Sequence, residues 1–104
     1  MAQFDVHRNP ITAARRAYPL VVELQSTLAA ASRSRIVAPL APRTALPQVS
    51  GRLTPIVRLD GLEYVVLVPA LATVASRDLL EPVGSLTGER TALLAAIDYL
   101  FFGV

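Results

Sequence analysis

The feature that most constrains the fold is a two-residue turn between two apolar runs. Asp60-Gly61 separates Pro55–Leu59 from Leu62–Val68. Such a connection favours a type I′ turn, because both of its residues must adopt positive φ and these residue types tolerate it. The sequence therefore predicts a β-hairpin. Tyr64–Val68 is apolar at consecutive positions, which predicts a strand buried on both faces, either centrally in the fold or at a subunit interface.

Three further segments have strand patterns. Gln3–His7 and Tyr18–Gln25 alternate between apolar and polar residues, as half-buried strands do. Arg35–Ala41 predicts another strand. Proline cannot donate to a β ladder, so Pro39 indicates an edge strand, a bulge or a strand end. A short strand is also predicted near Ala72–Ala75.

The C-terminal segment Thr87–Phe102 predicts the one helix. Thr87 is the expected N-cap, Glu89 in the first turn complements the helix dipole, and Gly103 ends the helix. Helical spacing places Phe101 in the apolar stripe and Phe102 on the opposite, solvent-exposed side. The other residues of the stripe are Leu93, Leu94, Ile97 and Leu100. We therefore expect a single mostly-β domain over residues 1–104, with strands to about residue 86 and the helix over 87–102.

Composition narrows the class of protein. A chain of 104 residues that is 53% apolar fits one small domain whose apolar surplus is covered by a partner chain, which predicts a homodimer. Cysteine is absent, so disulfides and thiol nucleophiles are excluded. The longest apolar stretch, Tyr64–Ala75, is shorter than the roughly 20 residues of a membrane span and contains Pro69. With no signal-peptide pattern at the start, we expect a cytoplasmic protein.

The charges are unevenly distributed along the chain. Residues 1–52 hold seven arginines and two acidic residues, whereas residues 53–104 hold three arginines and six acidic residues. An arginine-rich half attracts an acidic partner or nucleic acid, or is simply a solvated face. Both interpretations remain open from composition.

Catalytic chemistry finds little support. The only histidine, His7, is expected on the exposed side of its strand, and no serine lies in a Gly-x-Ser-x-Gly turn. The acidic pairs Asp60/Glu63 and Asp78/Glu81 lack a helix and a third ligand, so they predict no metal site. No catalytic residue, metal or cofactor is predicted.

Five segments resemble, in the same order, segments of the CcdB toxin family. The closing run Ile-Asp-Tyr-Leu-Phe-Phe-Gly-Val is similar to the family's tail, in which a helix runs into Phe-Trp-Gly-Ile. The strand Val-Glu-Leu-Gln-Ser is similar to Val-Asp-Val-Gln-Ser. The similar segments are Gln3–Val6, Val22–Ser26, Arg35–Ala41, Thr54–Val57, and the ending that combines Glu81–Leu86 with Ile97–Val104.

The resemblance implies an SH3-like β-barrel with one C-terminal helix, acting as a homodimeric toxin. Such toxins bind the A subunit of DNA gyrase, trap its cleaved-DNA complex, serve in plasmid maintenance and are neutralised by a CcdA-like antitoxin. They meet DNA only indirectly, through the antitoxin complex that represses transcription. Phe102 stands where the family has tryptophan, and Asp98 where it has asparagine. Carried over, the gyrase contacts are Asp98, Phe101, Phe102, Gly103, Val104 and, after the Gln-Ser pair, Leu28 and Ala29.

Arginines at loops and strand ends are the candidate contacts for an acidic, disordered antitoxin segment: Arg15, Arg16, Arg33, Arg35 and Arg43. Two alternatives remain open. One is an mRNA-cleaving toxin of the related MazF/Kid type, which would use arginines and His7 for acid–base chemistry. The other is a dimeric binding module without toxicity.

Overall fold

The computed structural model describes residues 2–26, 33–49 and 51–104. Seven strands and one α-helix make up the regular structure of these ranges, together with short 3₁₀ turns. The elements are β1 (Asp5–Arg8), β2 (Leu20–Glu23), β3 (Ser34–Pro42), β4 (Ile56–Leu59), β5 (Leu62–Val66), β6 (Ala72–Ala75), β7 (Gly84–Ser85) and α1 (Arg90–Phe102). The predicted mostly-β domain with one C-terminal helix is confirmed.

All strand pairs are antiparallel, and the sheet is nearly closed into a barrel. The strands follow the order β4-β5-β3-β2-β1-β7, and β6 pairs with β3 beside this path. The nine-residue β3 therefore organises the sheet: β2 lies along one side, while β6 and then β5 share the other.

Pro39 lies where β3 changes partner. The last pair with β6 is Val37↔Ala72, and the first pair with β5 is Leu40↔Val66. The carbonyl of Pro39 still accepts a hydrogen bond from the Leu67 amide at 2.9 Å. The proline thus occupies a junction in the ladder, although β3 is the central strand and not an edge.

The predicted hairpin is confirmed. Asp60 and Gly61 have φ of 52° and 80°, as a type I′ turn requires, and they join β4 to β5 at the pair Leu59↔Leu62. Val65 and Val66, which point to opposite faces, are both fully buried within one chain. The fold itself therefore covers both faces of β5.

The main core lies between one face of the sheet and α1. From the helix, Leu93 and Ala96 are fully buried in it, and Ile97 and Leu100 pack at its edge. Phe4 is buried with a φ of 69°, which is rare for an aromatic residue. The buried core residues are Phe4, Val6, Val22, Leu24, Ala38, Leu40, Val57, Leu59, Val66, Val68, Leu86, Leu93 and Ala96.

The helix begins differently from the prediction. Thr87–Glu89 forms a 3₁₀ turn and α1 starts at Arg90, so Thr87 as the N-cap is wrong. The Thr87 amide instead donates to Ser85 Oγ at 3.3 Å. The Glu89 carboxylate accepts from the backbone amide of Arg58 in β4 at 3.0 Å, which ties the helix start to an edge strand.

A short segment, Leu79–Val83, lies over part of the second face of the sheet, and we call it the strap. Leu79 is buried against Val21 and Val37, forming a second small apolar cluster. The Val83 amide donates to the Val6 carbonyl at 2.7 Å. Because the strap packs against this face, Val21, Val37 and His7 are buried although they alternate away from the main core.

Candidate functional site

The last helical turn forms an exposed apolar end that we call the helix tip, comprising Asp98 and Phe101–Val104. Phe101 is 61% exposed, Phe102 74% and Val104 76%. Asp98, one turn earlier, is exposed as well. Large apolar side chains are normally scattered singly over a protein surface, so their concentration at one end indicates a docking point.

The predicted exposure of Phe102 is confirmed, whereas the predicted burial of Phe101 is wrong. Phe101 follows Leu93 by eight residues, which at 100° per residue places it roughly 80° around the helix from that buried side chain. Because Leu93 and Ala96 centre the buried stripe, Phe101 lies on its flank. The sequence pattern centres the stripe on Ile97, whereas in the structure its centre lies between Leu93 and Ala96 on the helix circumference.

An apolar groove adjoins the tip. It has a volume of about 180 Å³ and lies between α1 and the sheet, lined by Leu24, Gln25, Ile36, Leu71, Ile97 and Phe101. Ile36 in β3 is 38% exposed there. Phe101 therefore joins the exposed tip to an apolar surface that reaches the sheet.

The tip is carried by an ordered helix end. Gly103 adopts the left-handed conformation with φ 73°, and its amide donates to the Tyr99 carbonyl at 3.0 Å, which confirms the predicted helix stop. The guanidinium of Arg52 stacks over the Tyr99 ring, 3.9 Å from its centre. The carbonyl bond and the stacking hold the final turn in place, so the aromatic rings are presented on a preformed surface.

The two remaining candidate gyrase contacts, Leu28 and Ala29, lie outside the described residues. Their predicted role stays a prediction that rests on the resemblance alone.

The candidate antitoxin arginines fall into two groups. Arg16 and Arg33 are exposed, Arg15 donates to the Asn9 carbonyl at 2.6 Å, and Arg43 is half-buried beside the Pro47 carbonyl at 3.5 Å. Arg35 differs, because it lies inside β3 and is only 7% exposed. A side chain buried to that extent presents little charge to a partner.

Arg35 belongs to a buried polar network that spans three strands. Its Nε lies 3.5 Å from Glu23 Oε1, and Glu23 Oε2 lies 2.7 Å from His7 Nε2. The other ring nitrogen of His7, Nδ1, donates to the Leu80 carbonyl of the strap at 2.7 Å. His7 and Glu23 are 0% and 2% exposed, so the network is shielded from water.

The expectation that His7 lies on the surface is therefore wrong. The strap covers the face on which its ring lies, and both ring nitrogens already have partners. Asp5 brings a third ligand-type side chain within 4.8 Å of His7 and Glu23. The positive charge of Arg35 beside the same carboxylate disfavours a divalent cation there, since like charges repel strongly where water is excluded.

The sequence carries one signal for this network. Glu23 lies in Leu20–Leu24, a run that is otherwise apolar on both faces. An acid in such a run requires a buried partner, because burying an unpaired charge is costly. The only histidine and the arginines were the available partners.

Comparison with known protein families gives a match to CcdB protein over residues 3–103, nearly the whole chain. The chain belongs to the CcdB family. It is therefore a toxin of a toxin–antitoxin system. Comparison with curated proteins gives no significant match.

The residues of the helix tip are those that the CcdB resemblance predicts as gyrase contacts, apart from Leu28 and Ala29. The structure exposes Asp98 and Phe101–Val104 at one end of α1. None of the helices in the described ranges is long and apolar enough to cross a membrane.

Proposed function

We propose that this CcdB-family protein inhibits DNA gyrase by binding the gyrase A subunit through its helix tip, and that a CcdA-like antitoxin neutralises it. The observation that carries the proposal is the exposure of Phe101, Phe102 and Val104 at the end of an ordered helix. Nothing in the described part of the fold uses these side chains fully, so their contact area is available to a partner.

Phe102 is the expected anchor of the interface. It is the most exposed aromatic residue of the tip and points away from the core. An aromatic ring provides a large apolar contact area with few rotatable bonds to immobilise, which is why such residues dominate interface energetics. Phenylalanine lacks the indole N–H of the family's tryptophan, so this anchor binds by apolar contact alone.

Inhibition by binding fits the chemistry better than RNA cleavage. A ribonuclease of the MazF/Kid type would need His7 to reach a substrate, but His7 is fully buried and bonded to Glu23 and the Leu80 carbonyl. We infer that the protein acts in the cytoplasm, where gyrase works, as an inhibitor and not as a catalyst.

The antitoxin is proposed to be a disordered acidic segment that orders as it binds. Arg15, Arg16, Arg33 and Arg43 remain its candidate contacts. Arg35 is removed from this set because Glu23 and the surrounding strands enclose its charge.

We also propose a homodimer, but on a different observation from the apolar strand that suggested it in the sequence. Both faces of β5 are covered within one chain, so the argument now rests on the sheet side of the apolar groove beside the tip, where Leu71 lines the groove and Ile36 is 38% exposed. A second copy of this chain on that surface would make an isologous interface. Sedimentation at micromolar concentration should give a dimer, and an 11.1 kDa species alone would contradict the proposal.

Growth arrest on induced expression tests the toxin mechanism. Phe102→Ala should relieve the arrest, whereas Leu80→Ala, which removes a 65% exposed apolar side chain from the strap, should leave it intact. The melting temperatures of both variants should stay close to that of the unmodified protein, because surface substitutions usually change stability little. Arrest that persists in Phe102→Ala at equal expression would argue against the tip.

A further inference from the structure

We propose that His7 is a proton-dependent latch that fastens the strap to the sheet. The strap, Leu79–Val83, lies over the second sheet face. It is held there by the buried Leu79, by the Val83 amide bond to Val6, and by the bond from His7 Nδ1 to the Leu80 carbonyl. The proposal is independent of gyrase binding, since the strap lies on the sheet face opposite the one that packs against α1.

The hydrogen-bond chemistry fixes how many protons the latch needs. A carbonyl oxygen can only accept, so the 2.7 Å contact to Leu80 requires a proton on Nδ1. The 2.7 Å contact between His7 Nε2 and Glu23 Oε2 requires a second proton, because an unprotonated nitrogen and a carboxylate oxygen both only accept. Two protons must therefore be held, whichever atom of the His7–Glu23 pair carries the second.

When one proton is lost, the ring keeps a single N–H donor but still faces two acceptors, the Leu80 carbonyl and the Glu23 carboxylate. A hydrogen bond to a carboxylate is roughly twice as strong as one between neutral groups. The remaining proton therefore moves to Nε2, where it serves Glu23, and Nδ1 then turns a lone pair toward the Leu80 carbonyl. The strap loses its bond to His7 as the pH rises, while the bond to Glu23 survives.

The charged groups around the ring come from each element packed against it. Asp5, which is half-buried, lies on the same strand within 4.8 Å of the ring. Glu23 on β2 and Arg35 on β3 form the buried network with His7. On the strap, Glu81 follows Leu80 and lines a surface concavity with Arg8. Val74 of β6, paired with Arg35, adds no charge.

Release of the strap would have a defined structural consequence. Leu79 packs on Val21 and Val37, so loosening the strap uncovers this second apolar cluster. The main core between the sheet and α1 shares none of these side chains. Opening would thus be local, with the rest of the domain still folded.

Nitrogen NMR of the imidazole ring tests the latch directly in the unmodified protein. His7 is the only histidine, so its two ring nitrogens are assigned without ambiguity. Spectra would be recorded at intervals from about pH 5 to about pH 8, the range in which unperturbed histidine side chains change charge, so that the number and position of the ring protons are followed directly. We expect the proton that is lost to leave Nδ1, giving a ring protonated at Nε2 only. A ring that keeps its proton on Nδ1, or that shows no proton loss over this range, would overturn the proposal.

Amide hydrogen exchange, corrected for its intrinsic pH dependence, gives a second readout. The Val83 amide should exchange about tenfold faster relative to the Leu24 amide once the ring has lost its proton, as expected for loss of one hydrogen bond. Leu24 is the internal control because it donates to Ile36 between β2 and β3. His7→Gln cannot titrate, so its strap should exchange at a ratio independent of pH. The same pH response in His7→Gln as in the unmodified protein would overturn the latch.

Discussion

Replacing Glu23 by alanine removes the centre of the buried network. The carboxylate contacts His7 at 2.7 Å and Arg35 at 3.5 Å, and it is 2% exposed. Its loss leaves the guanidinium of Arg35 and the ring of His7 inside the protein without this acceptor. Breaking a buried ion pair by removing one partner costs about 3–5 kcal/mol, because the remaining charge is no longer compensated.

That cost is large relative to the stability of a small domain. Domains of this size typically unfold with a free energy of about 5–15 kcal/mol. We therefore expect Glu23→Ala to lower the urea midpoint strongly and to raise the unfolded fraction at any given temperature. Toxicity should fall with the folded fraction, even though Glu23 is proposed to touch no partner.

Urea unfolding followed by circular dichroism, at one protein concentration, measures the effect. Glu63→Ala is the matched control: it removes the same carboxylate from an exposed pair with Arg58, in which the side chains are 48% and 66% exposed. Exposed pairs contribute about 0–1 kcal/mol, so this variant should remain near the unmodified protein. Equal free energies of unfolding for Glu23→Ala and Glu63→Ala would refute the reasoning.

Three further predictions address the core, the turn and the antitoxin. Leu93→Ala should reduce the free energy of unfolding by about 2–5 kcal/mol, because it truncates a fully buried side chain. Phe101→Ala should reduce it by about 1 kcal/mol or less, because that side chain is exposed. Urea unfolding of both variants measures the difference. Gly61→Ala should destabilise by about 1 kcal/mol in the same assay, because its φ of 80° disfavours a side chain although space for a Cβ exists; an unchanged midpoint would count against the turn assignment. Affinity for the cognate antitoxin should fall with added salt, and Arg15/Arg16→Gln should weaken binding and flatten that dependence in calorimetry; salt-independent affinity would exclude charge steering.

Local chemistry predicted the parts of the fold in which one residue type has few alternatives. Asp60-Gly61 specified a hairpin because only a positive-φ pair closes such a turn, and Gly103 ended the helix for a related reason. Pro39 indicated an irregular position in the β ladder, but not whether that position was an edge, a bulge or a change of partner strand. Its place inside the central strand depends on the partner exchange between β6 and β5, which involves residues more than 20 positions away.

The errors came from assuming that the second face of the sheet meets water. On that assumption His7 belongs on the surface, because it lies opposite the apolar side of β1. Arg35 is a candidate partner contact only from its place at a strand end, which does not report its buried ion pair with Glu23. The strap that covers His7 lies some 70 residues later in the chain, and no periodicity in β1 reports it. The predicted burial of Phe101 was wrong for a different reason. An apolar stripe centred on Ile97 and one centred between Leu93 and Ala96 differ by only a fraction of a helical turn, which the sequence pattern does not resolve.

Binding of the purified protein to the purified A subunit of gyrase, measured by calorimetry, tests the proposed toxin mechanism most directly. Removing an interface anchor typically costs about 2 kcal/mol or more, so Phe102→Ala should weaken binding roughly 30-fold or more. Deletion of residues 102–104 should abolish it, while Leu80→Ala should bind like the unmodified protein. Affinity that is unchanged in the Phe102→Ala variant, with the fold intact, would contradict binding through the helix tip.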